Sequence, residues 1–375
     1  MVHRMHGGGK AMKLYLTGEP CTQQRHCYVV RGRAASFIVD CGYQRCYGRD
    51  ALPHLTPEQI KESRYLFLTH SHENQSGALP YLLEKGFAGR VVMTTETARQ
   101  LPFAVDDPIV LEGLSVPYAE AELPGGLGVT WGRSGHCSGS AWFRLRDGDR
   151  SILFSGDYYY RARIHASDPI VGQHADLAVL DCDYGTQSGH NTREELLSEL
   201  TDAIAEALAD GRPVLLPVPK YGRGLGLLAC INERLPDTDV FADEHFRREL
   251  SHLDAAGMWV RPEAGEQLGN IFVREIPEDF VALGVYFVSD PQLDSRYARD
   301  LTRRLLICGA RVLMTGTVEP GTIAAQLMHS GQARMLRYGI HCTQEDMLRI
   351  ASQNDFGTII AYRSDYAPTQ AVYDI

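Results

Sequence analysis

Thr69-His70-Ser71-His72-Glu73-Asn74-Gln75-Ser76-Gly77 is the stretch whose reading decides the fold. It follows the apolar run Tyr65-Leu66-Phe67-Leu68, which has the length and residue types of a buried strand. Two histidines spaced H-x-H at a strand end can turn both imidazoles toward one cation, and imidazole is a common zinc ligand. Asn74 and Gln75, which follow, are neutral amides and bind zinc poorly. The stretch therefore predicts a metal-binding turn with its strong ligands at the front.

The chain has 375 residues, enough for one large domain or two moderate ones, and its 44% hydrophobic content is that of a soluble globular protein. Lys+Arg 37 against Asp+Glu 47 gives a net charge of -10, which argues against indiscriminate nucleic-acid binding but permits a local basic groove. Nine cysteines with no paired spacing predict reduced thiols and a cytoplasmic protein. No apolar run approaches the roughly 20 residues that span a bilayer, so no membrane contact is expected. Residues 1–11 read as a flexible leader, with Met12 a second candidate start and His3 and His6 a remote candidate metal pair.

Apolar runs at 12–16, 27–30 and 36–40 predict consecutive strands, and further strands are expected at 90–94, 128–131, 141–145 and 151–155. Thr56-Pro57-Glu58-Gln59 carries a cap residue, proline at the first helical position and glutamine three after the cap, the start of a short helix. Thr192-Arg193-Glu194-Glu195 opens another helix, with leucine and isoleucine at helical spacing through Leu208. From there strands at 213–218, 240–242, 285–288 and 312–314 alternate with helices near 225–234, 244–255 and 294–307. Such alternation predicts an α/β module with a largely parallel sheet.

Three further segments carry candidate ligands. Phe37-Ile38-Val39-Asp40-Cys41-Gly42 and Phe154-Ser155-Gly156-Asp157 each end a strand in an aspartate, and Gly135-His136-Cys137-Ser138-Gly139-Ser140 sets one histidine among small residues. With His70 and His72 they resemble, in order and approximate spacing, the metallo-β-lactamase superfamily, whose turn runs H-x-H-x-D-H. The stretch from His70 to Gly86, HSHENQSGALPYLLEKG, is similar to the β-CASP branch of nucleases, the RNase J type and the polyadenylation endonucleases. Leu180-Asp181-Cys182-Asp183-Tyr184-Gly185 resembles that branch's acidic motif. Pro217 to Gly224 resembles its Gly-Arg segment, Met314 to Thr322 its late Gly-Thr motif, and Tyr338-Gly339-Ile340-His341 its second motif histidine.

The resemblance implies an α/β fold: a metallo-β-lactamase αββα sandwich with an inserted α/β β-CASP cap domain. The division expected is 12–186 for the first part of the sandwich, 187–340 for the cap and 341–375 for the return. It also implies a metal-dependent phosphodiester hydrolase acting on RNA or single-stranded DNA. His70, His72, His136 and Asp157 would hold one zinc, iron or manganese ion, with Asp157, Asp181 and His341 as catalytic residues. The family's second metal would need the places held here by Asn74, Gln75 and, at the end of the strand Thr358 to Tyr362, Arg363. That site is expected to be lost. Arg363 reads either as an internal replacement for the second cation, pairing bidentately with a phosphate, or as an exposed arginine at a strand end.

Other candidates are open to two readings. Arg223 in Gly222-Arg223-Gly224 could meet a phosphate at a helix start or belong to a structural turn. Tyr158, with Tyr159 and Tyr160, could stack a base or pack under the cap. His165, His174 and His190 flank the expected junction with the cap. The lost ligands, and an end to the chain soon after Arg363, also suit a binding or scaffold subunit that has lost catalysis. The family's precedents allow a homodimer or an active β-CASP partner subunit.

Overall fold

The computed structural model describes residues 12–18, 25–46, 49–183, 193–268, 271–363, 368 and 370–375. The expected leader with His3 and His6, the junction histidine His190, the cap residue Thr192, and Tyr184-Gly185 of the acidic motif lie outside the described residues.

Alternation along the strands builds the sandwich. In Ser36–Cys41, Phe37 and Val39 point inward while Ile38 and Cys41 point to the other face; in Ser63–Phe67, Tyr65 and Phe67 point inward and Leu66 outward. These strands belong to a seven-stranded sheet, in spatial order Val372–Asp374, Lys13–Leu16, Cys27–Arg31, Ser36–Cys41, Ser63–Phe67, Arg90–Met93, Ile109–Val110. A six-stranded sheet faces it, in the order Asp355–Tyr362, His174–Asp181, Arg150–Phe154, Ala141–Asp147, Leu127–Arg133, Ala121–Leu123. Trp131, Phe143 and Phe154 of the second sheet meet Phe37 and Phe67 of the first, the Phe67 and Phe143 rings 5.5 Å apart edge to face. Helices Pro57–Glu62 and Leu79–Glu84 cover the outer face of the first sheet through Ile60, Leu79 and Leu82. Helix Gln344–Ser352 covers the second through Met347 and Ile350. The layers are helix, sheet, sheet, helix.

A third sheet of six strands is parallel throughout, in the order Val273–Glu275, Val240–Ala242, Val285–Val288, Val214–Pro217, Arg311–Met314, Ala333–Met335. Its four central strands are buried apart from Arg311 at one strand's start, and so read as apolar runs. Helices Arg193–Ala209 and Arg223–Arg234 pack on one face, Arg296–Ile307 and Ile323–His329 on the other. In the chain this unit lies between His174–Asp181 and Asp355–Tyr362, which pair with each other in the second sheet. It is an insertion into the sandwich, the α/β architecture expected from the sequence.

Two helices differ from expectation at their ends. The helix expected over 244–255 stops at Ser251, where His252 caps it, and the chain passes into a 3-10 turn at Gly257–Trp259. The helix expected from 294 begins at Arg296, because the Ser295 side chain caps it by accepting from the Ala298 N–H. No helix among the described residues is long and apolar enough to cross a membrane.

Candidate metal centre

Four strand ends converge. Ser63–Phe67 leads to His70 and His72, Leu127–Arg133 to His136, Arg150–Phe154 to Asp157, and His174–Asp181 ends at Asp181. One ligand atom from each of His70, His72, His136 and Asp157 lies within 4.8 Å of the others. His72 Nδ1 stands 3.1 Å from His70 Nε2 and 3.3 Å from His136 Nε2. Asp157 Oδ2 is 3.6 Å from both His70 Nε2 and His136 Nε2.

The outer nitrogens show why the three imidazole atoms are free to bind. His72 Nε2 donates to the Tyr221 carbonyl at 3.3 Å, and His136 Nδ1 to the Ile340 carbonyl at 3.3 Å. The Thr69 hydroxyl donates to Asp40 at 2.8 Å, so it accepts from His70 Nδ1 at 3.1 Å. Each ring thus keeps its proton on the outside and turns a lone pair inward. Burial lowers His72 to about 4 and holds His70 and His136 well below the usual histidine range, so all three are neutral donors. Three neutral imidazoles and one carboxylate form a donor set that fits a divalent cation.

Asp157 is held from its other side. Its Oδ1 accepts from the Tyr362 hydroxyl at 2.6 Å and from Gln75 Nε2 at 3.2 Å, and its Oδ2 accepts from Arg363 Nη1 at 2.7 Å. Burial would raise this carboxyl, but the Arg363 guanidinium outweighs it and holds it well below the ordinary range. Arg363 is buried, adopts φ 60°, and gives its Nε to Asp183 at 3.3 Å. Both engaged edges corner the expectation of a bidentate fork for phosphate: the guanidinium is already spent on two carboxylates. The alternative of an exposed arginine at a strand end is also set aside, because Arg363 is 8% exposed.

His341 Nδ1 and Asp181 Oδ2 lie 2.9 Å apart, and the His341 and His136 rings are 4.7 Å apart. Burial raises Asp181 from the usual carboxylate range, and its Oδ1 has no hydrogen-bond partner among the described residues. Tyr158 corrects one expectation. It is 1% exposed, its hydroxyl donates to the Asp168 carbonyl and accepts from the Ile170 N–H, and no ring face is open to a base. Arg223 begins helix Arg223–Arg234 and fills the space a side chain on Gly316 would need. His165 is buried near Ser138, whereas His174 pairs with Asp355 at the far end of its strand from Asp181.

Gly222 shows how closely the inserted unit approaches. It adopts φ 92°, and a Cβ there would meet the His136 carbonyl at 2.5 Å. Sequence reading missed Tyr362, Asp183 and Glu249, whose Oε1 accepts from the Gly222 N–H at 2.9 Å. Tyr362 adjoins Arg363, and Asp183 lies two residues beyond Asp181, so proximity was the available signal for both. Glu249 offered none.

Fold and centre together define a metallo-β-lactamase-fold protein. Residues 22–205 match the metallo-beta-lactamase superfamily, and the chain carries a domain of that family, which includes His70, His72, His136, Asp157 and Asp181. The chain is 27% identical over 232 residues to the cleavage and polyadenylation specificity factor 73 of Drosophila melanogaster, covering 56% of this chain and 34% of that protein. It is 26% identical over 243 residues to the ribonuclease TTHA0252 of Thermus thermophilus, covering 59% and 55%. It is 26% identical over 233 residues to the endoribonuclease ysh1 of Schizosaccharomyces pombe, covering 56% and 30%. The matches thus span about a third to a half of these relatives' lengths. A solved protein of unknown function from Enterococcus faecalis V583 shares the fold, with TM-score 0.59 at 15% identity over 95% of this chain and 94% of that one. These findings bear out the resemblance to metallo-β-lactamase nucleases of the β-CASP branch.

Proposed function

We propose that this chain is a metal-dependent phosphodiester hydrolase, a ribonuclease-like nuclease with a one-metal centre. The observation that carries this reading is the surroundings of Asp157: its Oδ2 is shared between the cluster of three neutral imidazoles and Arg363, and its Oδ1 is taken by Tyr362 and Gln75. His70, His72, His136 and Asp157 would hold a single zinc, iron or manganese ion. Such an ion supplies Lewis acidity toward a phosphoryl oxygen and acidifies a water molecule. Arg363 supplies the positive charge on the side where the family places its second metal, and holds Asp157 ionised. His341 is positioned to give a proton to the leaving oxygen, and Asp181 to orient that imidazole.

The division into 12–186, 187–340 and 341–375 belongs to this proposal. It is supported by the insertion between the paired strands His174–Asp181 and Asp355–Tyr362. RNA or single-stranded DNA as substrate rests on the names of the relatives. A catalytically lapsed binding subunit is the second reading, favoured by the saturation of Asp157 with hydrogen bonds and an ion pair. Elemental analysis separates the steps: we expect about one divalent ion per chain, lost in His70→Ala. Cleavage of single-stranded RNA should fall by about 10²-fold or more in His341→Ala and vanish in His136→Ala. A bound ion with no cleavage above the His136→Ala background selects the second reading, and a metal-free wild type overturns both the centre and the activity.

A further inference from the structure

The metal centre is closed on nearly every side: His70, His136, Asp157 and His341 are all at most 3% exposed. His72 is the half-buried member, and its outer nitrogen is held by the carbonyl of Tyr221, in the loop after strand Val214–Pro217. The side chains around Tyr221 therefore stand at the mouth. The Tyr221 and His245 rings lie 4.9 Å apart, edge to face, and both are half-buried. Lys220 is exposed and pairs with no carboxylate among the described residues. Arg99 is partly exposed at 38% and is fixed by Glu96, to which its Nε and Nη2 donate at 3.1 Å and 2.8 Å. Glu96 also holds His252 Nε2 at 3.0 Å, so this arginine is fixed across the seam between sandwich and insertion.

We infer that Lys220, Arg99 and the Tyr221–His245 pair form an entry subsite for single-stranded nucleic acid, receiving one phosphate and one base beside the scissile bond. This inference rests on the nuclease reading above and adds the place where the strand is held. Lys220 offers an uncompensated charge to the phosphate, and Arg99 keeps Nη1 clear of Glu96. The Tyr221 ring offers a face for stacking of any base. Three carboxyls stand nearby, and Asp243 of these is turned to the Phe246 and Ser289 N–H groups. Glu96 pairs with Arg99 and so leaves Lys220 as the net positive charge, and burial raises Glu249 to about 8, so it is largely neutral at physiological pH. A chain of net charge -10 thus carries a cationic, aromatic spot where a nucleic acid would approach the centre.

The test is binding of a short fluorescein-labelled single-stranded RNA, followed by anisotropy across a salt series, and steady-state cleavage of the same RNA. Lys220→Ala should weaken binding several-fold and lower the slope of log affinity against log salt by about 0.7. Tyr221→Leu should weaken binding by roughly tenfold with little change in that slope. Both should raise KM more than they lower kcat. Lys220 is exposed, so its variant keeps the test valid if Tyr221→Leu misfolds. Wild-type affinity, slope and KM in Lys220→Ala, with wild-type cleavage intact, overturn the subsite and leave the nuclease reading standing. A wild type that neither binds nor cleaves the RNA overturns both.

Discussion

Asp157 accepts from three side-chain donors, Tyr362, Gln75 and Arg363, and the arrangement explains how a carboxylate stays ionised with almost no solvent contact. A buried ion pair contributes little net stability, because desolvating both partners offsets their attraction. Removing one partner is far more costly. Without Arg363, Asp157 and Asp183 would be left as buried carboxylates with no cation between them, at about 3–5 kcal/mol. Replacing the guanidinium by a metal avoids that loss. The triple variant Asn74→Asp, Gln75→His, Arg363→His should therefore bind about two ions per chain where the wild type binds one. Elemental analysis checks this, and a triple variant that stays at one ion would show that more than these three residues closed the second position. The three were legible in the sequence because each occupies a numbered place in a motif. Tyr362 and Asp183 were not, since motif spacing does not say which neighbours turn toward Asp157 and Arg363.

At the scale of elements, the sequence carried strand identity well, because alternation and apolar runs decide which face is buried. Helix ends were legible where a side chain caps them. Thr56 and Gln59 form the expected capping box, with Thr56 Oγ1 accepting from the Gln59 N–H and Gln59 Oε1 from the Thr56 N–H. Strand Val372–Asp374 escaped notice because it is short and its pairing with Lys13–Leu16 joins opposite ends of the chain. The second capping box, Thr343 with Asp346, opens helix Gln344–Ser352 two residues after His341. Asp346 also accepts from the Tyr160 hydroxyl at 2.9 Å, so the cap ties the helix start to the loop that follows Asp157. Thr343→Ala should cost about 0.5–2 kcal/mol of stability. It should also lower kcat for RNA cleavage severalfold with little change in KM, because His341 loses its fixed support. Thr343→Ser should restore both. Thermal unfolding and steady-state kinetics are the measurements, and a stability loss without any kcat effect would detach the cap from His341.

Across the whole molecule, the sandwich and the inserted parallel sheet meet along a seam that brackets the metal centre. Ala166 N–H donates to the Trp259 carbonyl at 2.9 Å, Arg261 N–H to the Ile164 carbonyl at 2.8 Å, and Trp131 stacks on Trp259 at 5.9 Å. The fold class was legible from the alternation of strands and helices, but this seam was not, because its partners lie 93 to 128 residues apart and follow no local period. Glu249 is its most sensitive member, buried with its carboxylate oxygen on the Gly222 N–H, which itself abuts the His136 carbonyl. Burial raises its pKa from 4.5 to about 8. Between those values the folded chain binds a proton that the unfolded chain has released, so stability falls as pH rises through this window and levels off above it. Glu249→Gln keeps an oxygen to accept from Gly222 and removes the titration. Its melting temperature should match the wild type near about pH 5 and exceed it by several degrees near about pH 9. Differential scanning fluorimetry of both proteins across that range isolates the effect, since other titrating groups are common to the two. A constant difference between the curves would mean that Glu249 stays ionised at the seam.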